Sequence, residues 1–192
     1  MKICISTAIA LAVLSGCTAL KQNVVVTEPT EGARARIRVV IPNVDYHGVR
    51  AFPDSACVNR SLPNSGMVAS VQMVLGFEKN LNGKKIGVPE TLYSADTRYM
   101  SAEIYAKANE PITFNISKPP VTEGVGGGYV RVYYDTACNQ AVSFTPTSNG
   151  DYELVFSSEK NCPAVARQLI KTDAQYQEKI IPLEPATACA KK

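Results

Sequence analysis

The feature that most constrains the fold is a series of short segments in which apolar and polar residues alternate, separated by turns rich in Gly, Pro and Asn. The clearest is residues 33–41, where small and apolar side chains alternate with Arg34, Arg36 and Arg38 before Pro42. A period of two is typical of a half-buried β-strand. This segment is therefore predicted to bury its apolar residues and to place its three arginines on the solvent side.

Seven further segments have the composition of strands, and turn residues bound each of them. They are residues 48–52, 67–75, 99–107, 112–116, 129–134, 141–145 and 152–156. The second of these is apolar on both faces, which indicates a central strand. Asn149-Gly150 joins the last two and is the strongest hairpin signal in the chain. Because no helical period separates the strands, the predicted class is all-β, an antiparallel β-sandwich of Ig-like or transthyretin-like type.

Residues 164–179 fit two different structures. Their alanines and glutamines, and the spacing of Val165, Leu169 and Tyr176, suit a helix. Alternatively, residues 164–170 form a strand that pairs in a hairpin with residues 180–183.

The first 17 residues have the pattern of a secretory signal peptide. A basic Lys2 precedes the mostly apolar residues 3–13, and Leu14-Ser15-Gly16-Cys17 follows. The segment is too short to span a bilayer. Its last four residues resemble the lipobox of small bacterial outer-membrane lipoproteins. The resemblance implies cleavage before Cys17 and acylation of that cysteine, whose attached chains would anchor the protein.

The resemblance and the residue pattern together divide the chain into three parts. The resemblance makes residues 1–16 the signal peptide and Cys17 the lipidated residue. Residues 18–32 lack a clear period, so residues 17–32 are predicted to be the lipidated Cys17 and a tether, although residues 24–26 could add a short edge strand. The alternating pattern begins at residue 33, and residues 33–192 are predicted to form the β-sandwich domain. Thr18, in place of the Asp that retains such proteins at the inner membrane, implies an outer-membrane location, with the domain facing the periplasm.

Four cysteines remain once Cys4 and Cys17 are assigned to the N-terminal segment: Cys57, Cys138, Cys162 and Cys189. An even number in an exported chain predicts two disulfides. A C-terminal hairpin with its loop near residue 175 would place Cys162 opposite Cys189, so the favoured pairing is Cys162–Cys189 with Cys57–Cys138. The alternative joins Cys138 to Cys162 and Cys57 to Cys189.

The residues that carry chemistry are too sparse to predict an enzyme. His47 is the only histidine, no cysteines have C-x-x-C spacing, and the carboxylates are scattered, Glu103 among them. Neither a nucleophile–base pair nor a metal site is predicted, and no cofactor is expected. The net charge of +3 gives no reason to expect nucleic-acid binding.

The polar faces of several strands carry Tyr and Arg, which are enriched in interfaces. If these faces adjoin, Arg36, Tyr129, Arg131 and Tyr133 form a partner-binding surface. The predicted function is a non-enzymatic binding or envelope-assembly module whose partner is an envelope protein or glycan. The alternative is an inhibitor of a lysozyme or another envelope or host hydrolase, which would use the loop of residues 57–66. The plan of anchor, tether and disulfide-bonded β-domain is similar in architecture to two groups of bacterial lipoproteins. One inhibits host lysozyme, and the other comprises sandwich-fold accessory proteins of secretion machines.

Overall fold

Two five-stranded β-sheets pack face to face. The computed structural model describes residues 25–43, 48–71, 80–117, 121–125, 129–133, 138–173 and 175–190, with the backbone alone for 121–125 and 129–133. Its elements are β1 (Arg34–Pro42), β2 (Gly48–Pro53), β3 (Gly66–Ser70), α1 (Leu92–Ala95), β4 (Tyr99–Lys107), β5 (Ile112–Ser117), β6 (Val121–Val125), β7 (Tyr129–Tyr133), β8 (Asn139–Phe144), β9 (Asp151–Phe156), β10 (Ala164–Lys171), β11 (Tyr176–Ile181) and β12 (Glu184–Pro185). The predicted signal peptide, Cys17 and His47 lie outside the described residues.

The strand order is β11-β10-β9-β1-β4 in the first sheet and β12-β8-β5-β2-β3 in the second, while β6 and β7 pair only with each other. Among these strands, β1 and β9 run parallel and every other neighbouring pair is antiparallel. The two sheets and two disulfides confirm the predicted disulfide-stabilised β-sandwich. The parallel β1–β9 pair is the departure from a purely antiparallel arrangement.

One hydrophobic core fills the space between the sheets. Alternate residues of β1, such as Ile37 and Val39, point into it and are fully buried. Phe144 of β8 links the two layers, because its ring centroid lies 6.2 Å from that of Phe114 in its own sheet and 5.5 Å from that of Tyr152 in the first sheet. Aromatic pairs at such distances stabilise a core beyond the area that they bury.

The Asn149-Gly150 turn connects the two sheets, so the predicted hairpin at this position is wrong. β8 belongs to the second sheet and β9 to the first. The Asn149 amide donates to the Arg34 carbonyl at 2.8 Å, and the Gly150 carbonyl accepts from the Arg36 amide at 2.9 Å. These two bonds dock the turn on β1. The dipeptide therefore specifies a tight turn, with Asn149 at a φ of 57°, but not which strand the next segment joins.

The N-terminal segment covers the outer edge of β3. Val25 forms a parallel bridge with Met67, and the Val26 amide donates to the Met67 carbonyl at 3.1 Å. β3 is thus the last strand of its sheet, and the prediction of a central strand is wrong. All five residues of β3 are buried, which agrees with its apolar character on both faces, and residues 72–75 of the predicted strand lie outside the described residues.

Residues 25–32, predicted to be part of the tether, pack on the domain. Val26 is 5% exposed and belongs to the core. The Glu28 carboxylate accepts a hydrogen bond from the Tyr105 amide at 3.0 Å and forms an ion pair with Lys84. The domain therefore begins at or before Val25, and the predicted boundary at residue 33 is too late.

The C-terminal hairpin is confirmed, whereas the disulfide pairing favoured from it is wrong. β10 and β11 are antiparallel, with Ala166 opposite Ile181. This register is centred two residues earlier than assumed, and after Ile181 the chain crosses to the second sheet, where β12 pairs with β8. The observed disulfides are the alternative set, Cys138–Cys162 and Cys57–Cys189.

Each disulfide joins segments that the strands alone leave apart. Cys138 precedes β8 of the second sheet, and Cys162 precedes β10 of the first. Their disulfide therefore links the two sheets covalently, within the buried core. Cys57 lies in the loop after β2, and Cys189 follows β12. That second disulfide fixes the C-terminal segment against the loop, next to a parallel bridge between Val58 and Ala188.

Candidate functional site

A row of alternating charges crosses the outer face of the first sheet. Arg167 of β10, Glu153 of β9, Arg38 of β1 and Glu103 of β4 lie directly opposite one another on four neighbouring strands. The side chains of the last three are no more than 2% exposed. Arg38 donates to Glu103 Oε1 at 2.7 Å and to Glu153 Oε2 at 3.3 Å. We call these four residues the charge row.

Residues 84–96, here called the strap, cover the charge row. Two carbonyls of the strap, those of Val88 and Pro89, each accept a hydrogen bond from Arg38 at 2.7 Å. The Thr91 hydroxyl donates to Glu153 Oε2 at 2.5 Å. Thr91 also caps α1, a single turn within the strap, through a reciprocal capping box with Ser94. The buried charges therefore hold an otherwise irregular segment in one place.

Glu103 attaches the strap through three backbone amides. Its Oε2 accepts hydrogen bonds from the amides of Ile86, Gly87 and Val88 at 2.6, 2.9 and 3.1 Å. Burial alone would raise the pKa of Glu103, but the hydrogen bonds from Ile86, Arg38 and Val88 together outweigh it and hold the pKa below its ordinary value. The carboxylate is thus ionised at neutral pH and paired with a buried cation.

Arg167, at the other end of the row, connects it with the surface. Its guanidinium lies 5.2 Å from the ring centroid of Tyr93 in the strap, and its Nε lies 3.3 Å from Glu178 of β11. Its Nη1 is 3.8 Å from Glu153 Oε1, and both atoms are buried without a hydrogen bond among the described residues. The Arg167 contact with Glu153 is therefore looser than the Arg38 contacts.

A groove of about 580 Å³ lies beside the strap, where α1 faces the ends of β9 and β10. Its lining combines aromatic, cationic, apolar, hydroxyl and acidic side chains, among them Tyr93, Tyr99, Arg98, Arg167, Val165 and Glu159. The rings of Tyr93 and Tyr99 meet edge to face at 5.2 Å. Val155 and Val165 lie opposite each other on neighbouring strands, and Val165 is 39% exposed. Aromatic and apolar side chains beside cationic groups suit the binding of side chains or rings.

The predicted Tyr/Arg surface is only partly brought together. Arg34 lies over the Tyr105 ring, 4.6 Å from its centroid. Arg36 forms a two-bond ion pair with Asp151 at 2.7 and 2.8 Å, which raises the pKa of Arg36. Arg38, expected on the solvent side, is buried beneath the strap.

The other three residues of that predicted surface are Tyr129, Arg131 and Tyr133. They belong to β7, which pairs with β6 in a separate hairpin and not with any strand of the sheet that holds Arg36. A single sheet face that joins Arg36 to these residues is therefore not formed. Whether each of them contacts a partner stays a prediction.

The charge row, the strap and the groove are not predicted from the sequence. Glu103 is only one of several scattered carboxylates there, and nothing singles out Glu153. One signal was present: both glutamates, like Arg38 and Arg167, occupy the positions that alternate with core residues in their strands. The four residues become neighbours only when the strand order and register are known.

A second concave region lies at the Cys57–Cys189 disulfide. It has a volume of about 720 Å³ and is lined by residues 54–55, 57–62 and 188–190. The loop of residues 57–66 is held by the disulfide and by internal bonds, such as that from the Ser65 amide to the Leu62 carbonyl at 3.2 Å. Arg60 and Ser61 are exposed at its surface.

Comparison with known proteins does not assign a family. No protein-family model matches the chain, and no curated protein is significantly similar to it. In the ranges that the structure describes, no helix is long and apolar enough to cross a membrane, and no group of three potential ligands is arranged for a metal ion. Functional inference therefore depends on the geometry of the site.

Proposed function

We propose that this chain is a lipid-anchored outer-membrane protein whose β-sandwich faces the periplasm and acts as a non-enzymatic binding or envelope-assembly module. The observation that carries the proposal is the groove between the strap and the first sheet. Tyr and Arg, which line it, dominate the energetics of protein interfaces. We assign it an envelope protein as its partner, with a glycan as the competing outcome.

Two properties of the groove support binding. Val165 of β10 is 39% exposed, so apolar surface is available within the groove. The strap is fixed from beneath by Arg38 and Glu103, which means that the groove exists before a partner arrives. A preformed surface avoids the ordering cost that weakens many interfaces.

The anchor is tested by changing the acylated residue. Cys17→Ser is expected to leave unprocessed precursor that no longer labels with palmitate and no longer fractionates with the outer membrane. The wild-type chain provides the control. Unchanged labelling and fractionation of the variant would rule out the lipobox interpretation.

The groove is tested with two substitutions on the same strand. Val165 and Ile170 are 39% and 38% exposed but lie on opposite faces of β10. Val165→Lys is expected to weaken capture of the partner at least tenfold without changing the melting temperature, because a charge would enter the groove. Ile170→Lys is the matched control and should bind normally.

Site-specific photo-crosslinking identifies the partner class. A photoreactive residue at position 165 is expected to crosslink an envelope protein in intact cells, whereas one at Glu184, exposed on the other sheet, should not. Crosslinking to peptidoglycan alone would show that the partner is a glycan. Equal crosslinking from both positions, or none from either, would contradict the groove as the binding site.

The inhibitor function remains a second proposal, and the loop of residues 57–66 supports it. A loop fixed by a disulfide and exposing Arg60 and Ser61 is the type of rigid segment that an inhibitor inserts into a target. The purified chain should then slow a lysozyme or protease at micromolar concentration, and Arg60→Ala should abolish the effect. Absence of inhibition across a panel of such enzymes would remove this proposal.

A further inference from the structure

β11 presents the open edge of the first sheet. The opposite edge strand, β4, is partly covered, since the Gly83 amide donates to the Ser101 carbonyl and the Glu103 amide donates to the Lys84 carbonyl at 2.8 and 2.9 Å. No hydrogen bond from the described residues reaches the outer edge of β11. Native proteins seldom leave an edge of this length open.

The exposed apolar side chains of β11 have a symmetric arrangement. Tyr176 and Ile180 are 48% and 72% exposed. They lie on the same face of the strand, two positions before and two positions after Glu178. The pairing of Arg167 with Ile180 shows that this is the face that carries the charge row.

We propose that β11 pairs antiparallel with β11 of a second copy of this chain, about a two-fold axis at Glu178. A two-fold axis perpendicular to the sheet keeps each side chain on its own face, so facing residues must share a face. Residues that share a face differ by an even number of positions. The midpoint of the pairing, where the axis lies, is therefore a residue and not a peptide bond between two residues. At Glu178 the axis places Tyr176 of each copy opposite Ile180 of the other. It also places Gln177 opposite Lys179 on the reverse face, and an aromatic–aliphatic pair of this kind stabilises neighbouring strands.

The charges at the axis favour the same arrangement. The two Glu178 side chains would face each other, but Arg167 lies 3.3 Å from Glu178 in its own chain and supplies the opposite charge. The register centred on Lys179 would instead oppose two lysines and pair Glu178 with Ile180. That register also leaves Tyr176 without a strand position opposite it. The axis at Glu178 is therefore the more complementary of the two.

Cysteine substitution tests both the dimer and its register. In the purified full chain, Glu178→Cys should form a disulfide between copies under mild oxidation, because the residue faces itself within disulfide range. Lys179→Cys is the matched control and should not, since its counterpart lies two positions away. Tyr176→Cys and Ile180→Cys should crosslink only when the two variants are mixed.

Light scattering tests the dimer without new thiols. The full chain is expected to be dimeric at high micromolar concentration, and Ile180→Lys should shift it to the monomer. The melting temperatures of the two chains should be the same at a dilution where both are monomeric. A chain that stays monomeric and a Glu178→Cys variant that does not crosslink would overturn the proposal. Crosslinking by Lys179→Cys instead would overturn the register. A third outcome would also overturn the proposal. The wild-type chain would be monomeric and would capture a different envelope protein, and Ile180→Lys would abolish that capture. The edge of β11 would then bind a strand of the other protein and not a second copy of this chain.

Discussion

Arg38 carries a charge in the middle of a sheet face that is closed to water. Its guanidinium donates five hydrogen bonds, to Glu103, to Glu153 and to two carbonyls of the strap. Removing a charged group from water is costly, and good geometry with full hydrogen bonding is what offsets that cost. The alternation in β1 correctly separated Arg38 from the core residues. The alternation could not show that the strap, about 50 positions further along the chain, covers the face of β1 that carries Arg38.

Arg38→Met is expected to destabilise the fold strongly. It would leave two buried carboxylates without their cation, a change that typically costs about 3–5 kcal/mol. Arg36→Met is the matched control on the same strand. Its pair with Asp151 is partly exposed, so the expected loss is at most about 1 kcal/mol. Urea denaturation of the two variants measures the difference, and equal losses would contradict a special role for the buried row.

Glu103 predicts an acid-sensitive contribution to stability. The pKa of Glu103 is lower in the folded chain than its ordinary value of 4.5. The unfolded chain therefore binds its proton first as the pH falls. The contribution is fully present above about pH 4.5 and is lost as the pH falls through the lowered folded pKa.

Glu103→Gln tests this contribution because it removes the charge and keeps the shape. The variant should be less stable than the wild type at pH 7, and the gap should narrow as the pH falls below 4.5. Denaturant titrations at several pH values between 7 and 3 measure the gap. A constant difference over that range would show that ionisation of Glu103 contributes nothing.

At the scale of the element, the strap shows why an irregular segment was not predicted. Residues 84–96 have neither a period of two nor a helical period, so nothing in their pattern identifies what they cover. Their position depends on hydrogen bonds from backbone amides to Glu103, and any sequence with a suitable backbone supplies such amides. Only Thr91, an N-cap residue before a short helix, leaves a local signal.

Gly87 tests how closely the strap must approach β1. It has a φ of 94°, and an added Cβ would lie 3.0 Å from Arg36 Nη1. Gly83 is the matched control, with a φ of 76° and no atom within 4 Å of the added Cβ. Both alanine variants carry a left-handed backbone penalty of about 1–2 kcal/mol. Gly87→Ala should lose more stability and should speed hydrogen exchange of the strap amides, whereas identical behaviour would show that the contact is unimportant.

The bounds of the strands were predicted better than the pairing between strands. The ends of β4 agree with the alternation at both residues, Tyr99 and Lys107, because period and turn residues are local properties. The sheet to which β9 belongs is not local, since it depends on the docking of the Asn149-Gly150 turn against β1. The disulfide pairing failed for the same reason. A difference of two residues in the centre of the C-terminal hairpin was enough to place Cys162 opposite the wrong partner.

At the scale of the whole molecule, the two disulfides close loops of very different length. The separations are 24 residues for Cys138–Cys162 and 132 for Cys57–Cys189. Chain entropy alone gives about 3.5 and about 5 kcal/mol of stabilisation for loops of these lengths. Replacing both cysteines of the longer loop with Ala should therefore cost more than replacing both of the shorter loop. Guanidinium denaturation of the two double variants ranks them, and the reverse order would mean that packing around the buried disulfide outweighs loop length.

The parallel pairing of β1 with β9 affects the order in which the molecule can fold. Arg36 and Asp151, which are neighbours in the sheet, are 115 residues apart in the chain. β1 lies between β4 and β9 in the sheet. It is rich in apolar residues, yet β9 can pair with it only after most of the chain has been synthesised. Topologies dominated by such distant contacts fold slowly, in milliseconds to seconds. If the chain is exported N-terminus first, as the proposed anchor requires, β1 crosses the membrane well before β9, and the first sheet is completed only after residue 151 and those that follow it have also crossed.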